Sequence, residues 1–256
     1  MAGKQDIDRR GLFRRAAQAS SLLLLAGCDN LSRSDWFSGL LGKGELLTKR
    51  AQRTVTPRRA VAREYGHADR SRVFPANGNT DPEGAEYKAL AGNGFRDWRL
   101  DVGGLVQRPG AFTLEDLRAM PARTQTTRHD CVEGWSAIAT WKGVPLREIL
   151  ERAQPQPSAR YVVFHCLDAD EDGDTYYESI DFDDAYHPQT ILAYEMNDAP
   201  LPIPHGAPIR LRVERQLGYK HAKYVRRIEL VESFVDIAGG SGGYWEDQGY
   251  EWYAGI

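Results

Sequence analysis

A series of short apolar runs, each shut off by turn-forming residues, limits what this 256-residue chain can fold into. The runs cover residues 99–106, 124–128, 161–167, 176–180, 191–197 and 224–235, and they are rich in β-branched and aromatic side chains. Runs of this length between Gly, Pro, Asn and Asp clusters read as strands. The first breaks at Gly103-Gly104 before the turn Gln107-Arg108-Pro109-Gly110. Helical signals are shorter. Thr113 precedes an acid three residues on, and the pattern stops before Pro121, which marks a capped helix. Asp181 marks an Asp-capped helical turn, and residues 141–150 read as a helix with Pro145 in its first turn. The expected fold is α+β: a mixed, β-rich domain with short helices and irregular loops around one site.

Charge divides the chain. Lys plus Arg exceed Asp plus Glu by 3 over residues 1–28 and by 5 over residues 29–72, whereas the acids exceed by 11 over residues 73–256, for a net −3. An acidic domain behind a basic stretch argues against a nucleic-acid partner, which would require the basic patch on the folded part. It suits a tether near anionic lipid or a solvated, extended one. Residues 1–28 read as an export signal: Arg9-Arg10 is followed by a weakly apolar stretch over 16–26, too short to span a bilayer. Leu25-Ala26-Gly27-Cys28 resembles the lipobox of bacterial lipoproteins, which implies a lipid anchor through Cys28; the alternative is an ordinary cleaved signal. Residues 29–72 are then a basic, flexible tether and residues 73–256 the working domain. The location expected is the periplasmic side of a bacterial inner membrane, anchored or soluble.

Three cysteines cannot make a complete disulfide framework, so each is read singly. Cys131 lies in Thr127-Arg128-His129-Asp130-Cys131-Val132-Glu133-Gly134-Trp135-Ser136, a polar and aromatic setting. A thiolate that reacts or binds metal needs positive charge and donors nearby, which Arg128 and His129 offer; the plain alternative is a buried thiol. A nucleophilic Cys131–His129 pair is a further reading, disfavoured because residues two apart on an extended segment point the same way. The run Asp168-Ala169-Asp170-Glu171-Asp172-Gly173-Asp174 lacks the glutamate that closes a calcium loop and reads as a solvated hairpin turn.

The Cys131 block, Leu201-Pro202-Ile203-Pro204-His205-Gly206-Ala207-Pro208-Ile209-Arg210 and Gln216-Leu217-Gly218-Tyr219-Lys220-His221-Ala222-Lys223 resemble, in order, three segments of the sulfite-oxidase-like molybdopterin oxidoreductases. The exported branch typified by the periplasmic methionine-sulfoxide reductase catalytic subunit is the nearest match. The resemblance spans roughly residues 73–256 and implies a molybdenum-molybdopterin cofactor with Cys131 as the protein ligand to the metal. It implies cofactor contacts from Asn77, Cys166 (where the family has a threonine), His205, Arg210, His221, Ala222 and Lys223. Glu133 matches an acid of the reductase branch, which implies a proton relay or a gate on a coordination position, the alternative being a simple ion-pair partner. The implied reaction is a two-electron oxygen-atom transfer, with a separate and membrane-bound electron partner. Where sulfite oxidases place arginines, this chain has Ala76 and Ser136, which favours a neutral sulfoxide substrate. The rival readings are a sulfite dehydrogenase and a non-catalytic lipoprotein on the same fold.

Overall fold

A computed structural model describes residues 44, 47–55, 60–169 and 173–256. The export signal, Cys28, the greater part of the expected tether and the tip of the acidic run (170–172) lie outside the described residues. The chain divides into two compact units, Met1–Thr54 and Val55–Ile256. Residues 47–54 of the first are helical.

The elements of the second unit, in chain order, are α1 (Ala85–Gly92), β1 (Arg99–Gly104), β2 (Gly110–Thr113), α2 (Leu114–Ala119), β3 (Arg123–Asp130), β4 (Ser136–Pro145) and α3 (Leu146–Ala153). Then come β5 (Tyr161–Ala169), β6 (Thr175–Asp181), α4 (Phe182–Ala185), β7 (Ile191–Met196), β8 (Ala199–Pro200), β9 (Arg210–Arg212), β10 (Val225–Val231) and α5 (Tyr244–Asp247). One sheet runs β2-β1-β10-β5-β6, antiparallel throughout except for the parallel β1–β10 pair. The other runs β3-β4-β7-β8, with β9 also paired to β7. The expected mixed, β-rich α+β fold with short helices is the one observed.

Period-two burial builds the first sheet's inner face. On β5, Val162, Phe164 and Cys166 are buried and join Leu100, Ile228 and Leu230 in the main core. Against it lies α3, which buries Leu146, Ile149, Leu150 and Ala153, the spacing of one helical face. A second core gathers Trp141, Ile191, Ala193, Met196 and Leu201, with Phe74 packed on it. The capping signals hold: Thr113 Oγ1 accepts from the Asp116 N–H at 2.9 Å while Asp116 Oδ2 accepts from the Thr113 N–H at 2.8 Å. Asp181 Oδ1 likewise accepts from the Asp184 N–H at 3.2 Å.

Two expectations change. Residues 141–145 are strand, and the helix begins only at Leu146. Gly143 is the reason, because a Cβ there would sit 2.1 Å from the Leu192 carbonyl oxygen, so the bare backbone lets β4 close onto β7. Residues 60–72, expected within the tether, instead lie along the outer edge of β3 and β4. The Tyr65 N–H donates to Thr126 O at 2.9 Å, the Ser71 N–H to Ile138 O at 2.9 Å, and Gln189 brackets Ala62 through both its amide atoms. An open strand edge leaves backbone groups unpaired, and this segment covers them.

Candidate active site

The β3–β4 hairpin carries Cys131 at its turn. The Cys131 N–H donates to Trp135 O at 2.9 Å and the Gly134 N–H to Cys131 O at 3.0 Å, with Gly134 at φ 89°, where glycine costs least. The thiol is 6% exposed, and Asn77 Nδ2 donates to its sulfur at 3.3 Å. Burial raises the Cys131 pKa, and the Glu133 charge adds to that; the Glu133 and Val132 N–H groups and the Asn77 amide pull the other way. Cys131 and Cys166 are both free thiols, which leaves Cys131 open to another ligand.

Asn77 also ties the thiol to a cationic cradle. Its carbonyl accepts from Lys223 Nζ at 2.7 Å, and the same ammonium donates to Asn79 O and to Pro204 O at 3.2 Å. Arg210, projecting from β9, donates from Nη1 to His205 O at 3.1 Å and from Nη2 to His221 O at 3.2 Å, and lies over the Trp141 ring at 5.1 Å. Gly206, at φ 108°, lets the chain turn against the Lys223 stem; a Cβ there would meet Lys223 Cβ at 2.9 Å. Burial, then the neighbouring Arg212, lowers the Arg210 pKa to about 9. Burial, then Arg210, lowers that of Lys223 to about 7. Burial followed by Arg210 and Lys223 takes His205 down to about 4, and burial with Arg212 puts His221 well below its ordinary value, so both rings are neutral at pH 7. Positive charge crowded out of water in this way favours an incoming anion.

A cleft of about 760 Å³ opens over this cradle. Of the residues singled out from the sequence, Asn77, Glu133, Arg210, His221 and Lys223 border it. Cys131 and His205 do not line it but are hydrogen-bonded to residues that do, Cys131 to Asn77 and His205 to Arg210. Cys166 lies in the main core, close enough for the Lys223 charge to act on it. The Ala222 side chain is in that core too, and its carbonyl accepts from the Leu211 N–H at 2.8 Å. The aromatic C-terminal segment divides its rings: Tyr244, Trp245 and Tyr250 border the cleft, while Trp252 packs on Tyr161 and Phe234. His129 makes no hydrogen bond to Cys131. Its Nδ1 faces Arg212 Nη1 at 2.9 Å and its Nε2 has no partner among the described residues, which removes the support for a thiol–imidazole pair.

Three buried polar atoms at the cleft lack hydrogen-bond partners among the described residues: Arg210 Nε, His221 Nδ1 and Asp168 Oδ1. His221 donates through Nε2 to Gln216 O at 3.0 Å, which makes Nδ1 an acceptor. The cleft thus presents one spare donor within positive charge and two spare acceptors. That set fits a large ligand with anionic oxygens at one place and N–H groups at another, which suits the phosphate and ring nitrogens of a pterin cofactor. Asp168 was hidden in the sequence by its acidic neighbours. So was the role of Gly218, where a Cβ would stand 2.5 Å from His129 Nε2.

A two-sheet domain whose cleft offers a cationic cradle and spare acceptors beside an available thiol suits a bound redox cofactor. Residues 89–236 match the model of the oxidoreductase molybdopterin binding domain, more than half of the chain, and the chain belongs to that family. It is therefore an oxidoreductase with a molybdenum-molybdopterin cofactor. A protein of Azospira oryzae with the provisional name protein-methionine-sulfoxide reductase subunit YedZ1 is 37% identical over 248 residues, 96% of this chain and 87% of its own length. The protein-methionine-sulfoxide reductase catalytic subunit MsrP of Xanthomonas axonopodis pv. citri is 36% identical over 169 residues, 62% of this chain and 51% of its own. Among solved structures, the sulfane dehydrogenase SoxCD of Paracoccus pantotrophus aligns with TM-score 0.48 and 27% identity, covering 54% of this chain and 39% of that one.

Proposed function

We propose that this chain is the catalytic subunit of a methionine-sulfoxide reductase: R₂S=O takes up two electrons and two protons and leaves as R₂S and water. One observation carries the reading. Asn77 donates its side-chain N–H to Cys131 sulfur and accepts Lys223 through its carbonyl, so one residue joins the thiol to the cationic cradle. The relative that aligns with 96% of this chain, at 37% identity, is named as a subunit of a protein-methionine-sulfoxide reductase. Bound molybdenum-molybdopterin supplies the two-electron redox centre.

In this reading Cys131 holds the metal as a thiolate, a soft ligand for a metal already held by sulfur. The Asn77 amide and the N–H groups of Val132 and Glu133 stabilise its negative charge. Arg210 and Lys223 supply the positive charge that meets the cofactor's phosphate, and His205, His221 and Ala222 frame it. Glu133, exposed at the cleft and hydrogen-bonded by Trp135 Nε1 at 2.9 Å, delivers protons to the departing oxygen through its carboxyl group. Tyr219, Tyr244, Trp245 and Tyr250 offer aromatic faces to a thioether-like side chain, while the exposed Asp81, Glu83 and Asp174 disfavour an anion such as sulfite. Electrons come from a separate, membrane-bound partner. In this reading the twin arginine directs export to the periplasmic side, and the lipobox-like run supports a lipid anchor at Cys28, the soluble periplasmic form being the alternative.

The test is molybdenum content together with substrate choice. The purified chain should carry close to one metal per molecule, and Cys131→Ser should lose it. A reduced viologen dye should be oxidised on addition of free or peptide methionine sulfoxide. Metal retained in Cys131→Ser, or turnover of sulfite in preference to every sulfoxide, would overturn the proposal.

A further inference from the structure

Two walls of different chemistry meet at the rim of the cleft. One is aromatic. Tyr176 stacks on Tyr244 with ring centres 5.6 Å apart, and the run continues through Trp245, Tyr250 and Tyr219 at 5.3 Å per step. The Tyr176 hydroxyl donates to Tyr219 O and closes the run on itself. All of these rings border the cleft, and Trp245 and Tyr250 still show 37% and 39% of their surface to water.

The other wall is acidic. Asp81, Glu83, Glu133 and Asp174 border the same cleft and are exposed. No exposed Lys or Arg borders it among the described residues. Arg210 is 3% exposed and donates from Nη1 and Nη2 to the His205 and His221 carbonyls. Lys223 turns its ammonium to the carbonyls of Asn77, Asn79 and Pro204. Lys88 meets Asp81 at 2.8 Å but does not border the cleft. The cationic floor is therefore buried, and the charge that an arriving molecule meets first is negative.

Both walls favour the same partner chemistry. An ammonium or guanidinium is drawn to carboxylates by charge and to an aromatic face by the ring's quadrupole. A cleft lined by one sign of charge also concentrates the opposite sign at its mouth. In an extended peptide, residues two apart point to the same side, so a basic residue two positions from the one that enters the cleft faces the rim. We propose that the polypeptide this cleft takes best carries lysine or arginine close to its oxidised methionine, read by Glu83 and Asp174 on one wall and by Trp245 and Tyr250 on the other. This rests on the sulfoxide-reductase reading and adds to it a charge preference in the substrate.

The experiment uses the full chain loaded with cofactor and a reduced viologen dye. Three blocked pentapeptides carry methionine sulfoxide at the centre, glycine on each side of it, and lysine, glutamine or glutamate at both ends. The expected kcat/KM for the lysine peptide is about tenfold above that for the glutamate peptide, carried by KM, with the glutamine peptide between them. Raising salt from about 0.01 M to about 1 M shortens the screening length from about 30 Å to about 3 Å and should draw the three together. In the double variant Glu83→Gln with Asp174→Asn the lysine-over-glutamate ratio should fall by about threefold. Glu115→Gln, at an exposed acid outside the cleft, should keep the parent ratio. Molybdenum per chain is measured for each protein, so that every ratio refers to loaded enzyme. Equal kcat/KM for the three peptides would overturn the proposal, as would a parent ratio in the double variant; both results leave the reductase reading standing. Loaded enzyme that reduces neither the peptides nor free methionine sulfoxide would overturn that reading and the proposal with it.

Discussion

Replacing Lys220 with methionine tests how this fold tolerates charge in its interior. Lys220 Nζ donates to Glu178 Oε1 at 2.5 Å and also to Glu246, and all three side chains are essentially inaccessible to water. The second oxygen of each carboxyl group is buried without a hydrogen-bond partner among the described residues. With lysine present its ammonium balances charge on the two carboxyl groups; without it, they face each other in a dry site with nothing to offset either as an anion. Removing one partner from a buried ion pair costs about 3–5 kcal/mol, and that is the expected loss at pH 8. The loss should shrink in acid. Burial, reinforced by Glu246 and opposed by Lys220, holds the Glu178 pKa well above the ordinary carboxylate value. A group raised in this way contributes stability below its unfolded pKa, near 4.5, and loses it as pH rises through the folded value. Lys220→Met removes the opposing charge, so the fall in stability with rising pH should steepen, by up to about 1.4 kcal/mol per pH unit for each extra proton retained. Urea unfolding of cofactor-free protein at pH 5, 6.5 and 8 measures this. Two outcomes would refute the reasoning: a variant within about 1 kcal/mol of the parent at pH 8, or a deficit that does not change with pH.

Gly218→Ala should force the buried His129 ring aside, since the new methyl would fall 2.5 Å from Nε2 and 2.7 Å from Cε1. A cost of about 1–3 kcal/mol in urea unfolding and reduced molybdenum content are expected. Gly110→Ala, where a Cβ meets nothing within 4 Å, is the matched control. Lys223 gives a pH dependence of opposite sign to that of Glu178. With a folded pKa of about 7 against an ordinary 10.5, the unfolded chain binds a proton that the folded chain has released. Its contribution to the stability of the cofactor-free protein therefore rises with pH between about 7 and 10, and Lys223→Met should flatten that rise in a series of urea midpoints.

The strands were legible because apolar and β-branched residues recur between turn formers, and the capped helix because Thr113 and Asp116 declare it locally. The start of α3 was not. The pattern of Leu146, Ile149 and Leu150 extends back naturally through Trp141, and only the approach of Leu192 to Gly143 shows that this stretch is strand. Residues 60–72 are charged and without period, so nothing local announces that the edge of β3 needs a cover. In the candidate site, Cys131, Arg210 and Lys223 stood out through motif order. Asp168 and Lys220 did not, because a carboxylate in an acidic run and a lysine in a basic one look solvated until the strands that bury them are in place. Burial of charge is a tertiary property, and spacing along one chain does not report it.

The parallel pairing of β1 with β10 has a consequence for how the molecule comes into being. Asp101 is registered with Arg227 and Gly104 with Leu230, so the middle of the first sheet is the last of its strands to be made. A ribosome that has released everything up to residue 220 has produced two sheet halves with a gap between them. Lys223 enters just ahead of the strand that fills the gap. The cradle thus lacks the Lys223 ammonium that ties Asn77 to it until just before the strand that closes the seam is made.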